Sequence, residues 1–202
     1  MSKPLEFCFD FISPFSYVAW HALPHYLEQT DAELKITPVF LGAIMQNTGN
    51  RPPGLVPAKG AYMADDLQRC CKRYGIEFRM HPKFPAINTR PLLRAVIALD
   101  DQPGEQKKLM DAVFHAMWAA PEPLDTEDQA QVEALCINAG LDWSQVKAAM
   151  EDETTKDQLR TNTDGVIQRG AFGAPSFFVG ETLFFGHDRL DYAVEALNEA
   201  GK

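Results

Sequence analysis

No Cys-x-x-Cys occurs in the 202 residues, and the four cysteines, Cys8, Cys70, Cys71 and Cys136, are irregularly spaced. That pattern excludes a dithiol redox pair and a zinc ribbon and fits packing thiols in a reducing compartment. No apolar run approaches the length that crosses a bilayer, so no membrane partner is expected. The stretch Met1-Ser2-Lys3-Pro4-Leu5-Glu6 lacks a basic segment leading into an apolar one, so no secretory leader is expected and the cytoplasm is the simplest location. An overall basic charge is missing as well: the formal net charge is −9, which argues against a nucleic-acid partner. Internal repeats and low-complexity tracts are also absent.

What is present describes a globular chain long enough to bury a substantial core, with 46% apolar and 23% charged residues. The charge is unevenly spread. Residues 51–94 carry nine Lys/Arg against three Asp/Glu, a local positive excess inside an acidic protein. Such a patch suits a small anionic ligand, for which counter-charge is needed only around the site; a solvated basic helix face is the plainer explanation. Within it, Arg51 and Lys59 stand out as candidate ligand contacts.

Leu5 to Ile12 reads as a buried strand running into Ser13-Pro14-Phe15-Ser16, with Ser13 as helix N-cap and Pro14 at the first helical position. A helix to about Gln29 follows, then a second strand from Leu34 to Leu41 whose Pro38 suggests an edge or bulge. Right-handed parallel pairing of the two strands is the default. From Gly42 to Gln168 helical patterns dominate: 58–74, 90–100, 106–118, 126–139 and 143–170, with Thr126-x-x-Gln129 as a capping signal, Gly140 past a helix end, and a turn-rich loop at 47–54. Strand character returns in a hairpin turning at Gly180-Glu181, and 188–200 closes the chain as an amphipathic helix. Strand, helix, strand, then hairpin and helix is an α/β thioredoxin-like order. It is interrupted after the second strand by a large all-helical insertion, giving a thioredoxin-like domain from 1–41 and 169–202 and an insertion domain at 42–168.

At the mouth of the first helix, where a thioredoxin-type oxidoreductase carries its cysteines, both outer positions are serine: Ser13 and Ser16. A serine pair cannot shuttle electrons, but backbone N–H groups and a positive helix end can hold another molecule's thiolate. His21 and His25 lie one helical turn apart, yet no cysteine or carboxylate completes a metal site with them, and none is expected.

Several motifs occur together and in order: Phe9-Asp10-Phe11-Ile12-Ser13-Pro14-Phe15-Ser16-Tyr17, Gly49-Asn50-Arg51-Pro52-Pro53-Gly54, Phe84-Pro85-x-x-Asn88-Thr89, Phe172-Gly173-Ala174-Pro175 and Phe185-Gly186-His187-Asp188-Arg189. On these the chain resembles, over its full length, the DsbA-like group of kappa-class glutathione transferases and 2-hydroxychromene-2-carboxylate isomerases. The resemblance implies glutathione as cofactor, a homodimer, and Ser13 as the catalytic contact to the glutathione sulfur. It also implies a cis Ala174-Pro175 peptide whose Ala174 backbone pairs with the cysteinyl residue like an added strand. Phe185, Gly186, His187 and Asp188 would form the turn that recognises the γ-glutamyl arm, with relatives often carrying Ser or Asn where His187 stands. Asn50, Arg51 and Lys59 would face the substrate, a small aromatic carboxylate or other electrophile. The implied reaction is reversible thiolate addition to a ring-opened enone, interconverting 2-hydroxychromene-2-carboxylate and trans-o-hydroxybenzylidenepyruvate in naphthalene-type catabolism. A kappa-type transferase, which would leave glutathione in the product, is the close rival. An inactive DsbA-like binding module is the distant one.

Overall fold

Residues 4–200 are described by a computed structural model; Met1, Ser2 and Lys3, read above for a leader, lie outside them. Strand β1 (Leu5–Phe9) is buried at every position because both faces of its sheet are covered. Alternate side chains therefore enter two different cores. Phe7 and Phe9 stack with each other, and Phe7 with Phe177 across the sheet, at centroid separations of 5.2 Å in both pairs. They join a large cluster that includes Trp20, Phe114 and Trp118. Cys8 faces the other way, with Val39, Ile44, Val166, Ala171 and Phe178.

Helix α1 (Pro14–Leu27) leads to β2 (Leu34–Pro38), which pairs parallel to β1 with Phe7 opposite Ile36. The hairpin of β3 (Ser176–Val179) and β4 (Thr182–Phe185) turns at Gly180, which has φ +59°, and β3 adds antiparallel to the other edge of β1. The strand order β2-β1-β3-β4 puts Pro38 at the end of an edge strand, where its missing N–H costs no ladder bond. The short 3-10 turn His187–Arg189 and α9 (Leu190–Ala200) close the chain.

Between β2 and β3 lie α2 (Leu41–Thr48), α3 (Pro57–Tyr74), α4 (Arg90–Ala98), α5 (Pro103–Trp118), α6 (Gln129–Asn138), α7 (Trp143–Glu151) and α8 (Glu153–Gln168). The large cluster runs continuously from the sheet into these helices, and the Trp118 indole N–H donates to the Phe11 carbonyl at 2.9 Å.

Three local expectations are corrected. The single helix at 143–170 is two helices, because Asp152 leaves the helical region (φ −66°, ψ 134°) and its carboxylate caps the Thr155 N–H. Helix α6 starts three residues after Thr126, with Asp128 accepting from the Ala130 and Gln131 amides. Helix α2 is additional. Its N-cap residue is Phe40, which offers no side-chain cap, so its entry carried no sequence signal. Distant groups cap it instead: Asp10 accepts from the Leu41 amide and the Thr163 hydroxyl accepts from the Phe40 amide.

Candidate active site

Ser13 stands where β1 ends and α1 begins, with Pro14 preset for the first helical position. Its backbone is extended (φ −86°, ψ 112°), and its hydroxyl accepts from the Ser16 N–H at 3.1 Å, as an N-cap should. The same hydroxyl donates to the Ala174 carbonyl at 3.0 Å, joining positions 161 residues apart. No acidic side chain occupies the first turn of α1, so the positive end of the helix is not neutralised there. Ser16 is fully buried and its hydroxyl has no partner among the described residues.

The Ala174-Pro175 peptide is cis, as is Phe84-Pro85. No group among the described residues accepts the Ala174 N–H, while the Pro175 carbonyl accepts from the Gly186 amide at 3.0 Å, bringing the 186–188 turn against the cis-proline. Two glycines are required here by close packing. A Cβ on Gly173 would lie 2.8 Å from the Phe185 ring, and one on Gly186, which has φ +97°, would lie 2.6 Å from the Asp188 carboxylate. Ala174, Pro175, Phe185, Gly186, His187 and Asp188 are thus contiguous with Ser13. Asp188 is half exposed and pairs with Arg189 at 2.9 Å. His187 is buried, stacks on Phe15, and its Nε2 lies 3.1 Å from the Cys70 sulfur.

On the side of the insertion, Asn50 follows the C-terminus of α2 and its amide donates to the Phe172 carbonyl at 2.8 Å. Phe172 and Phe185 form an exposed aromatic pair with centroids 4.4 Å apart. Arg51 and Lys59 are exposed and enter no ion pair among the described residues. They lie at either end of a short apolar stretch in which Leu55 and Val56 are also exposed. Asn50 therefore reaches the Phe172–Pro175 segment by a side-chain bond, and the two cations do not.

Two residues of this region were not singled out from the sequence. Asp10 is wholly buried beneath the Ser13 turn and accepts from the Thr89 hydroxyl at 2.6 Å, the Leu41 amide at 2.9 Å and the Ile12 amide at 3.1 Å. Burial raises its pKa, outweighing those hydrogen bonds, which act to lower it. An acid three residues before Ser13 inside an apolar strand was the available signal, because such a group is buried only with partners. Cys70 has no local signal; its partner is brought from the far end of the chain. Among the described residues no group of three or more His, Cys, Asp or Glu side chains could hold a metal ion, and no helix is long and apolar enough to cross a membrane.

A family model described as DSBA-like thioredoxin domain matches residues 4–198. Kappa 1 glutathione S-transferase of Caenorhabditis elegans is 30% identical, over 96% of this chain and 91% of that protein. The 2-hydroxychromene-2-carboxylate isomerase of Sphingobium xenophagum is 29% identical, over 95% of this chain and 96% of that protein. A solved structure of a 2-hydroxychromene-2-carboxylate isomerase shares the fold at a TM-score of 0.81 and 24% identity, covering 96% of this chain and 94% of that one.

Proposed function

Because the chain belongs to the DSBA-like thioredoxin family, in the group of kappa-class transferases and 2-hydroxychromene-2-carboxylate isomerases, we propose that it is a glutathione-dependent isomerase of the latter type. The observation that carries this reading is the hydrogen bond from Ser13 to the Ala174 carbonyl, which sets a hydroxyl donor beside the edge on which a peptide would pair.

The residues fit glutathione. The unpartnered Ala174 N–H is a free strand-pairing donor, and Gly173 lets the Phe185 ring pack against the segment that carries it. When bound, glutathione supplies a thiolate for reversible addition to a conjugated electrophile. At the protein, the Ser13 hydroxyl, which lies at the Ala174 carbonyl, would be the donor to that sulfur. A hydroxyl donated to an anion contributes about 1.5–3 kcal/mol, and the α1 N-terminus about 0.3–1 kcal/mol. At about 1.4 kcal/mol per pKa unit, these bring a thiol from about 8.5 to roughly 6 to 7. Asp188 and the 186–188 turn would hold the γ-glutamyl arm, and Asn50, Arg51 and Lys59 would orient the substrate carboxylate. A cytoplasmic homodimer belongs to the same proposal.

A kappa-type transferase is the second reading, favoured by a kappa relative that matches as well as the isomerase does. The deciding experiment follows the chromene carboxylate by ultraviolet absorbance with and without catalytic glutathione. Turnover without thiol consumption supports the isomerase, and stoichiometric thiol loss with an electrophile supports the transferase. No glutathione binding sinks both.

A further inference from the structure

Cys70 on α3 and His187 in the closing turn are 117 positions apart in the chain, yet Sγ and Nε2 lie 3.1 Å apart. The imidazole is also stacked on Phe15, with centroids 5.4 Å apart and planes 8° from parallel. Phe15 lies between Ser13 and Ser16 at the start of α1. The ring is therefore fixed on one face by the site helix and at one edge by the insertion, and no protein group among the described residues bonds Nδ1. His187 is 8% exposed and Cys70 is half-buried, so the contact is shielded without being sealed.

Which imidazole nitrogen carries the proton is decided by the bond made at the other. Burial, reinforced by Asp66, keeps the Cys70 thiol protonated, and burial holds the His187 pKa down against the pull of Asp188 and Asp66. Between two neutral groups the S–H is a donor and the thiol sulfur a poor acceptor, whereas an unprotonated ring nitrogen accepts well. The pairing in which the thiol donates to Nε2 is the one that leaves the ring proton on Nδ1.

We propose that Cys70 is a positioning residue for the anion-holding turn: its thiol keeps His187 in the Nδ1–H form, with that N–H offered to a ligand carboxylate. This rests on the glutathione reading of the site. It adds a contact through which the helical insertion sets the donor pattern of the turn beside the cis-proline.

The test uses full-length protein labelled with ring-15N histidine, comparing wild type, Cys70→Ser and Cys70→Ala, with His187→Gln to assign the resonance. Two-bond 1H–15N correlations read the tautomer, and calorimetry with S-methylglutathione reads affinity without turnover. Wild type and Cys70→Ser should both show Nδ1–H. Cys70→Ala should shift His187 toward Nε2–H and weaken S-methylglutathione about 3- to 10-fold, the size of one neutral hydrogen bond. A purely packing role for Cys70 would leave the tautomer unmoved. An unchanged tautomer in Cys70→Ala, or Nε2–H in the wild type, overturns the proposal. No S-methylglutathione binding by the wild type overturns the reading of the site instead.

Discussion

Strand β1 has a carboxylate near each end, both of them buried, and their surroundings shift the two pKa values in opposite directions. Glu6 accepts from Arg169 at 2.8 Å, Thr37 at 2.8 Å and Lys35 at 3.0 Å, and these bonds overcome burial and lower its pKa. Arg169 also donates to the Gly180 carbonyl at 2.8 Å and lies 3.7 Å over the Phe178 ring, so this end is an electrostatic brace between edge strand and hairpin turn. Asp10, just past the other end, has only neutral donors, and burial raises its pKa. A carboxylate satisfied by cations tolerates movement, because Coulomb attraction varies slowly with distance. One satisfied only by neutral N–H and O–H groups depends on their direction and spacing. Asp10 thus serves geometry: it fixes the turn before Ser13, the entry to α2 and Thr89 at the start of α4 around one side chain.

The contrast can be broken at either end. Ser13→Ala should act on chemistry far more than on folding, slowing glutathione-dependent turnover about 100-fold and costing only about 1 kcal/mol of stability as a lost cap. Steady-state rates and thermal melts measured together would contradict this if both fell in proportion. Asp10→Ala should do both, removing about 3 kcal/mol of stability by leaving the Leu41 and Ile12 amides without their acceptor and loosening the Ser13 turn as well. A variant that melts normally and turns over normally would refute the geometric role. Glu6→Gln should cost about 2 kcal/mol and leave turnover unchanged, because its bonds brace the far end. The sign of its pH dependence is fixed: the folded pKa lies below the ordinary 4.5, so its stabilisation is present above that value and fades as pH falls through the folded one. Denaturation midpoints followed from neutral pH downward through the ordinary carboxylate range should therefore fall with acid more steeply for wild type than for Glu6→Gln. Arg51→Ala is expected to have the smallest effect, raising the substrate KM about threefold with kcat little changed, in keeping with an exposed cation. A large fall in kcat would place Arg51 closer to the reacting atoms than its exposure suggests.

Much of the frame was legible because it is written in local chemistry. Ser13 and Pro14 start a helix by their own backbone preferences, Gly180 turns the hairpin, and short apolar, aromatic-rich runs mark β1 and β3. Helix α2 was hidden because its caps, Asp10 and Thr163, lie 31 and 123 positions away in the chain. The break between α7 and α8 does have a local signal, because Asp152 and Thr155 have cap spacing within a helical pattern that otherwise runs on from 143 to 170. The residues named for the site divide along the same line. Ser13, Ala174-Pro175 and the 186–188 turn sit in short motifs that carry their own conformation and converge in space, whereas Arg51 and Lys59, named on local charge and on the resemblance, are exposed and no bond among the described residues ties them to Ser13.

By itself, the sequence determined that a helix begins at a serine instead of a redox cysteine, since N-cap and proline chemistry act within a few residues. Only the tertiary structure decided what that serine touches. The Ser13 hydrogen bond to Ala174, the Asp10 clamp and the Cys70–His187 pair each join side chains far apart in the chain. Their partners are fixed by the pairing of β3 with β1 and by the packing of the insertion helices around them, properties that no local window of sequence contains.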